Sequence, residues 1–312
     1  MDGVNVLVTG GSGVIGQELT DLLVKEGANI LTVDKNPHPD NNLESVQQEV
    51  VNLDQDDLDF IHEFEPEIIF HLAAVFERTT ESSGFWEDNW QDNTLLTHRI
   101  IDLIDELSSV RVATFSSSYL VYNPEKYLSP VKPNQPTLIE EQSSVQPRNL
   151  CGASKYYSEQ ELEFISSNNP ELRVVFPRIF RVYGQGSKDV ISRWVRSAIN
   201  GEQITLYNRS NIFDFIYSRD VAEGLLRLAK NEDATGAINL GSGRPRKVAD
   251  ILSIIEKYVS GTEELIVDKG VTNLYETSCA DISKLVNLTG WRPNHELESG
   301  IKQVVDYERE RR

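Results

Sequence analysis

The first 34 residues constrain the fold more than any other stretch of this chain. Val4–Val8, apolar except for Asn5, reads as a buried strand and is followed by Thr9-Gly10-Gly11-Ser12-Gly13-Val14-Ile15-Gly16. Val14–Glu26 then has helical apolar spacing, and Ile30–Val33 is a second apolar run that ends in Asp34. Strand, glycine-rich turn, helix and strand in such close succession read as a parallel β-α-β unit. The first glycines permit a tight turn and let backbone N–H groups approach a pyrophosphate. The last lets the helix pack close to the sheet, and the helix N-terminus favours the anion. Asp34 ends the second strand, about 20 residues beyond the turn, where a carboxylate bonds the adenosine ribose hydroxyls and repels a 2′-phosphate. Gly10, Gly13, Val14, Ile15, Gly16 and Asp34 are therefore candidate NAD ligands. The charge of Lys35 softens the preference for NAD over NADP.

The alternation continues. Val46–Val51, Ile68–His71, Val112–Phe115 and Arg173–Pro177 read as strands, and Asp88–Leu107 and Gly152–Ser167 as helices. Continuous apolar strands separated by helices predict an α/β fold, a doubly wound parallel (Rossmann) sheet covered on both faces. The second half is less regular, with short strands at Thr205–Tyr207, Phe213–Tyr217 and Ala237–Leu240, a polar, Pro-rich loop at Asn123–Gln146 and a helical tail at Ala280–Arg312. The expected division is an NAD-binding domain at 1–177 plus 212–240, and a smaller α/β substrate-binding lobe at 178–211 plus 241–312. With 312 residues, 39% of them hydrophobic, the chain has material for both cores.

Thirty Lys+Arg against 49 Asp+Glu give a net charge of -19. Such a surface repels nucleic acid and anionic membranes, so a phosphate-bearing ligand needs a local positive pocket. His38, His62, His71, His98 and His295 are scattered, with no zinc spacing. The chain opens directly on a strand, which reads as the absence of a signal peptide, and no apolar run is long enough to span a bilayer. Cys151 and Cys279 suggest neither a disulfide framework nor a metal site, so a reducing cytoplasm is the expectation.

Several further blocks stand in order along the chain: HLAA at 71–74, Asn93 in DNTLLT, SSSYLVY at 116–122, GASK at 152–155 and RIFRVYGQG at 178–186. FDFIYSRDVA at 213–222, NLGSG at 239–243 and ADISKLVNLTGW at 280–291 follow. With TGGSGVIG at 9–16, they make the chain resemble the extended short-chain dehydrogenase/reductases, the nucleotide-sugar epimerase and dehydratase family, over nearly its whole length. The resemblance implies further NAD contacts from Asn52, Leu53, Leu72, Ala73, Ala74, Asn93, Ser116, Lys155 and Pro177. It also implies a serine, a tyrosine and a lysine acting together: the tyrosine takes a sugar hydroxyl proton as hydride passes to NAD, the lysine holds the nicotinamide ribose, and the serine bonds the same hydroxyl. Carried over by position, the serine is Ser118 and the lysine Lys155. The tyrosine position is Cys151.

Cys151 and Lys155 are one helical turn apart on a shared face, and an ammonium near a thiol favours the thiolate, which can serve as a general base. The thiol is shorter than a phenol and leaves a gap that substrate or water would have to fill. Four readings stay open: a working acid/base, a filler beside another group, an engineered substitution, or an NAD- and sugar-binding protein without turnover. Tyr119, Tyr122, Tyr156 and Tyr157 are nearby tyrosines. Of these Tyr119 adjoins Ser118, but the strand pleat turns its side chain to the other face.

Within the resemblance, sugar dehydratases carry an Asp-Glu pair after the catalytic serine or threonine; here Tyr119-Leu120 stands there. The glutamate of decarboxylating relatives is also absent. Epimerisation, which needs only hydride removal, rotation of the keto sugar and hydride return, is the reaction least dependent on these groups. A sugar-nucleotide oxidoreductase or dehydratase of variant mechanism is the alternative. Glu77, Ser118, Arg181 and Phe213 are the candidate substrate contacts. Arg181 replaces the usual asparagine before VYG and is read either as a diphosphate fork or as a structural ion pair. Phe213 replaces a common phosphate-holding arginine, and a second such arginine is missing around Thr272–Thr277. Arg244, Arg246 and Lys188 are cations without an assigned role. The implied partners are a nucleotide-diphosphate sugar and a second copy of the chain, joined through Asp88–Leu107 and Gly152–Ser167 as a helix bundle.

Overall fold

The computed structural model describes residues 1–39, 45–76, 83–132, 134–270 and 274–312. The chain divides into two compact units: Met1–Tyr122, Ser144–Arg178 and Ala222–Ile238 form the first, and Asn123–Ser143, Ile179–Val221 and Asn239–Arg312 the second.

The first unit is a doubly wound α/β structure. Its strands are β1 (Asn5–Thr9), β2 (Asn29–Asp34), β3 (Val46–Val50), β4 (Ile68–His71), β5 (Val112–Phe115), β6 (Ser117–Ser118), β7 (Arg173–Ile179) and β8 (Gly236–Leu240). The sheet order is β8-β7-β5-β4-β1-β2-β3, with β6 beside β7. Neighbours from β7 through to β3 are parallel. The strand order reverses at β1, between β2 and β4, and in such sheets ligands bind beyond the carboxyl ends at that switch point. The core explains the apolar runs: Leu7, Leu31, Ile69, Ala113 and Val174 on the strands pack with Ile100, Ile101, Ile104 and Leu162 on the helices.

The helix expected over Asp88–Leu107 begins earlier and is not uniform. Ser83–Asn89 is α-helical, Trp90–Leu95 is a π turn, and Leu96–Glu106 is α-helical again. A π turn inserts an extra residue into the helix, often at functional positions, and here it contains the buried Asn93. The helix expected at Gly152–Ser167 runs from Leu150 to Asn168.

The second unit has its own core, in which Tyr183, Trp194, Phe215, Ile251 and Val304 are buried together. Segments 123–143 and 212–221, expected in the NAD-binding domain, belong here. The reason is strand pairing. Leu128–Ser129 pairs with Tyr275–Glu276, and Leu138–Ile139 with Cys279–Ala280. The single strand expected at Phe213–Tyr217 is two: Ile212–Phe213 runs antiparallel to Arg246–Lys247, while Phe215–Tyr217 runs parallel to Arg181–Tyr183. Between them, the buried Asp214 carboxylate accepts the N–H groups of Ser242 (2.8 Å), Gly243 (2.9 Å) and Ala280 (3.0 Å). Burial drives its pKa up and these donors oppose the rise.

Candidate active site

The glycine turn leaves β1 with Gly10 at φ +74°, a left-handed conformation that favours glycine. A Cβ there would lie 2.6 Å from the Ala73 nitrogen, and one on Gly16 would overlap the Gly10 carbonyl oxygen. The helix Val14–Lys25 starts after Gly13, whose N-cap position has no side-chain hydrogen bond. The N–H groups of its first turn are thus left to an anion, and the dipole favours one. Asp34, at the end of β2, accepts from Ser12 N (3.1 Å) and Asn36 N (2.9 Å). A carboxylate has about four acceptor sites, so it retains capacity for ribose hydroxyls. Lys35 is drawn to Asp92 at 3.1 Å. These features fit a dinucleotide with an unphosphorylated ribose.

Register brings the other cofactor candidates to the same sheet end: Thr9 is level with Val33 and His71, and His71 with Phe115. Leu72, Ala73, Ala74 and Ser116 follow these strand ends. Asn52 and Leu53 follow β3; Asn52 N donates to Asp56 (2.6 Å), and Leu53 is buried. Pro177 is buried within β7. The Asn93 amide is occupied by protein: it accepts from Val75 N (2.8 Å) and donates to Val75 O (3.0 Å) and Asn89 Oδ1 (2.8 Å). Its role in this geometry is to hold the backbone after β4.

Asn149 caps the helix Leu150–Asn168, its Oδ1 accepting from Gly152 N at 2.9 Å. Gly152 allows the helix to lie against the chain at Leu120, whose carbonyl oxygen a Cβ would overlap. Cys151 therefore sits in the first turn, where the dipole favours a thiolate. It is buried, with Sγ 3.8 Å from Val75 O. One turn on, Lys155 Nζ donates to Ser116 Oγ (3.5 Å), which donates to His71 O (3.1 Å). Burial pushes the Lys155 ammonium down to about 8, while Cys151 pulls it upward. Ser118 Oγ accepts from Leu120 N (3.2 Å), capping the short turn Tyr119–Val121. The sequence groups Ser118 with Lys155; in the structure the hydroxyl on the lysine is that of Ser116. Glu77 lies outside the described residues.

Sequence reasoning missed a buried polar layer beneath Lys155. Arg178 donates to Glu159 from Nε (3.0 Å) and Nη2 (2.6 Å), and Ser117 Oγ donates to the same carboxylate (2.5 Å). The guanidinium stacks over Tyr122. Burial works against the Arg178 charge, but the Glu159 hydrogen bonds and charge outweigh it and raise the pKa. His71 lies between Thr9 (2.7 Å) and Thr97 (3.0 Å), and burial, then the Lys155 charge, lowers its pKa so that it is neutral near pH 7. A cavity of about 10 Å³ is lined by His71, Ser116, Lys155 and Glu159 among others, room for about one water. The signal available was Glu159, four residues after Lys155 on the same helical face.

In the second unit Arg181 donates to the buried Glu276 at 2.9 Å and lies 4.0 Å over the Phe213 ring. Arg181 therefore takes the ion-pair arrangement, and Phe213 is a buried platform.

Residues 6–241 match the model of the NAD dependent epimerase/dehydratase family. The chain belongs to that family, and is an enzyme with NAD as its cofactor. A putative UDP-glucose 4-epimerase of Methanocaldococcus jannaschii is 28% identical over 97% of both chains. A dTDP-L-rhamnose 4-epimerase of Burkholderia thailandensis is 25% identical over 97% of this chain and 94% of its own. Among solved structures, MoeE5 in complex with UDP-glucose and NAD has a TM-score of 0.85 at 23% identity, covering 98% of this chain and 99% of that one.

Proposed function

We propose that the chain is a nucleotide-sugar epimerase, acting at the sugar 4-position, with an atypical Ser118-Cys151-Lys155 site. The observation that carries this reading is Cys151 in the first helical turn, one turn before Lys155. The named 4-epimerases among its relatives support the choice of reaction. The N–H groups of the glycine turn hold the pyrophosphate, Asp34 the adenosine ribose and Lys155 the nicotinamide ribose. NAD, when bound, supplies a hydride acceptor and donor. Cys151 holds the proton of the reacting hydroxyl, and the helix dipole and the Lys155 ammonium favour its thiolate. Ser118 orients that hydroxyl once substrate displaces the bond to Leu120 N.

The functional molecule in this reading is a cytoplasmic homodimer. A reducing compartment suits two buried free cysteines. Trp86, Trp90, Tyr157 and Phe164 are exposed on the helices expected to form the dimer, a patch suited to burial against a second copy. A second reading, a nucleotide-sugar oxidoreductase or dehydratase of variant mechanism, is favoured by the burial of Cys151 and its contact with Val75 O, which leave the proton to another group.

The test is nicotinamide absorbance on mixing protein and NAD with UDP-, dTDP-, GDP- and CDP-sugars, with products read by NMR. Conversion of one sugar to its 4-epimer is the expected result. Accumulation of reduced nicotinamide or of a dehydrated sugar, with no 4-epimer, would favour the second reading.

A further inference from the structure

Lys35 directly follows Asp34, the carboxylate at the end of β2. Between Lys25 and Arg78 it is the one lysine or arginine in the sequence. The same stretch carries the cofactor candidates Asp34, Asn52, Leu53, Leu72, Ala73 and Ala74. A 2′-phosphate beside Asp34 brings a charge near -2 to a carboxylate, and an ammonium next door is what offsets that repulsion. Here the ammonium is engaged elsewhere. Lys35 Nζ donates to Asp92 Oδ2 at 3.1 Å, across 57 residues of sequence. The two partners differ in freedom. Asp92 lies in the π turn Trp90–Leu95, and its side chain is 21% exposed. The next residue, Asn93, is buried and anchored to Val75 and Asn89. Lys35 is 56% exposed on a flexible four-carbon stem. The carboxylate is therefore the fixed partner and decides where the ammonium lies.

We propose that Asp92 is a cofactor-specificity residue: it engages the Lys35 ammonium in an ion pair, so that no uncommitted cation stands beside Asp34 to take a 2′-phosphate. Rejection of NADP then has two parts, repulsion by Asp34 and withdrawal of Lys35. Asp92 acts through Lys35, as a positioning residue. The inference rests on the placement of the adenosine ribose at Asp34 proposed above.

The experiment is calorimetric titration of the full chain with NAD and with NADP. Asp92→Asn keeps the side-chain shape and removes the charge. It should tighten NADP about three- to fivefold, the upper span for a part-exposed ion pair, with NAD unchanged within about twofold. Lys35→Ala alone should change NADP affinity by less than about twofold, because the ammonium is already committed. Combined with Asp92→Asn, it should abolish the gain, a non-additivity that reports the coupling of the two side chains. Asp88→Asn removes the same charge one helical turn earlier, at an exposed position, and should leave NADP affinity within about twofold of wild type. No gain in Asp92→Asn, a gain that survives Lys35→Ala, or an equal gain in Asp88→Asn would each overturn the assignment alone. Asp34→Asn tests the placement beneath it and should weaken NAD while tightening NADP. Unchanged affinity for both dinucleotides would overturn the ribose placement, and the assignment with it.

Discussion

At the scale of single residues, the chemistry turns on Cys151 and Lys155. If the thiol is the acid/base, Cys151→Ala should lower kcat by about 10²–10⁴-fold, the usual span for a positioned proton-transfer group, while Cys151→Tyr retains or raises turnover. Full activity of the alanine variant would exclude the thiol from proton transfer. Lys155 titrates near 8 because it is desolvated. An ammonium needed for binding and thiolate formation should give kcat/KM an alkaline limb near pH 8, and Lys155→Arg should lose that limb even at low residual activity, since arginine stays charged. The stability linkage has a definite sign. Below pH 8 Lys155 is charged in both states. Between 8 and its ordinary 10.5 the unfolded chain binds the proton more tightly, so Lys155 makes the apo protein more stable as pH rises through that window. His71 acts at the other end. Its folded pKa lies well below 6.5, so the stability it contributes is present above 6.5 and lost as pH falls below it. A His71→Gln variant should show a flatter melting-temperature profile below that pH.

At the scale of elements, the helix Leu150–Asn168 is held to β7 by the Glu159–Arg178 pair. Glu159→Gln would leave Arg178 charged and buried without its carboxylate, a change that costs about 3–5 kcal/mol in comparable buried pairs. Denaturant unfolding should show that loss, and the double replacement Glu159→Leu with Arg178→Met should recover most of it. No recovery would mean that the pair contributes more than mutual neutralisation. Because Ser117 also bonds Glu159, the same change should loosen the strand end that carries Ser118.

At the scale of the whole molecule, the exposed aromatics of the first unit bear on assembly. Trp86 and Trp90 are spaced to share one helical face, and Phe164 is 71% exposed on a helix bonded to theirs through Asn89 and Ser154. Trp90→Asp combined with Phe164→Asp should convert a dimer to a monomer in light scattering, with NAD binding intact. A wild-type monomer at micromolar concentration would remove the dimer from the proposal. Two copies of so acidic a chain repel one another, so added salt should tighten the dimer by screening.

What the sequence determined was local. The strand–glycine–helix unit, the acid after the second strand and the parallel alternation follow from conformational freedom, helical period and strand period, all of which act over a few residues. They were enough to recognise an NAD-binding sheet; residue 151 was marked by the family resemblance. The tertiary structure decided which side chains meet over long sequence separations. Ser116 rather than Ser118 bonds Lys155, because the turn after β6 takes the Ser118 hydroxyl as its cap. Asn93 bonds Val75 from within a π turn, a change of helical pitch that the apolar pattern over Asp88–Leu107 does not announce. Arg181 pairs with Glu276, 95 residues away, and Arg246 faces Phe213 only through strand register. Such pairings depend on how distant strands align, and no local periodicity encodes that alignment.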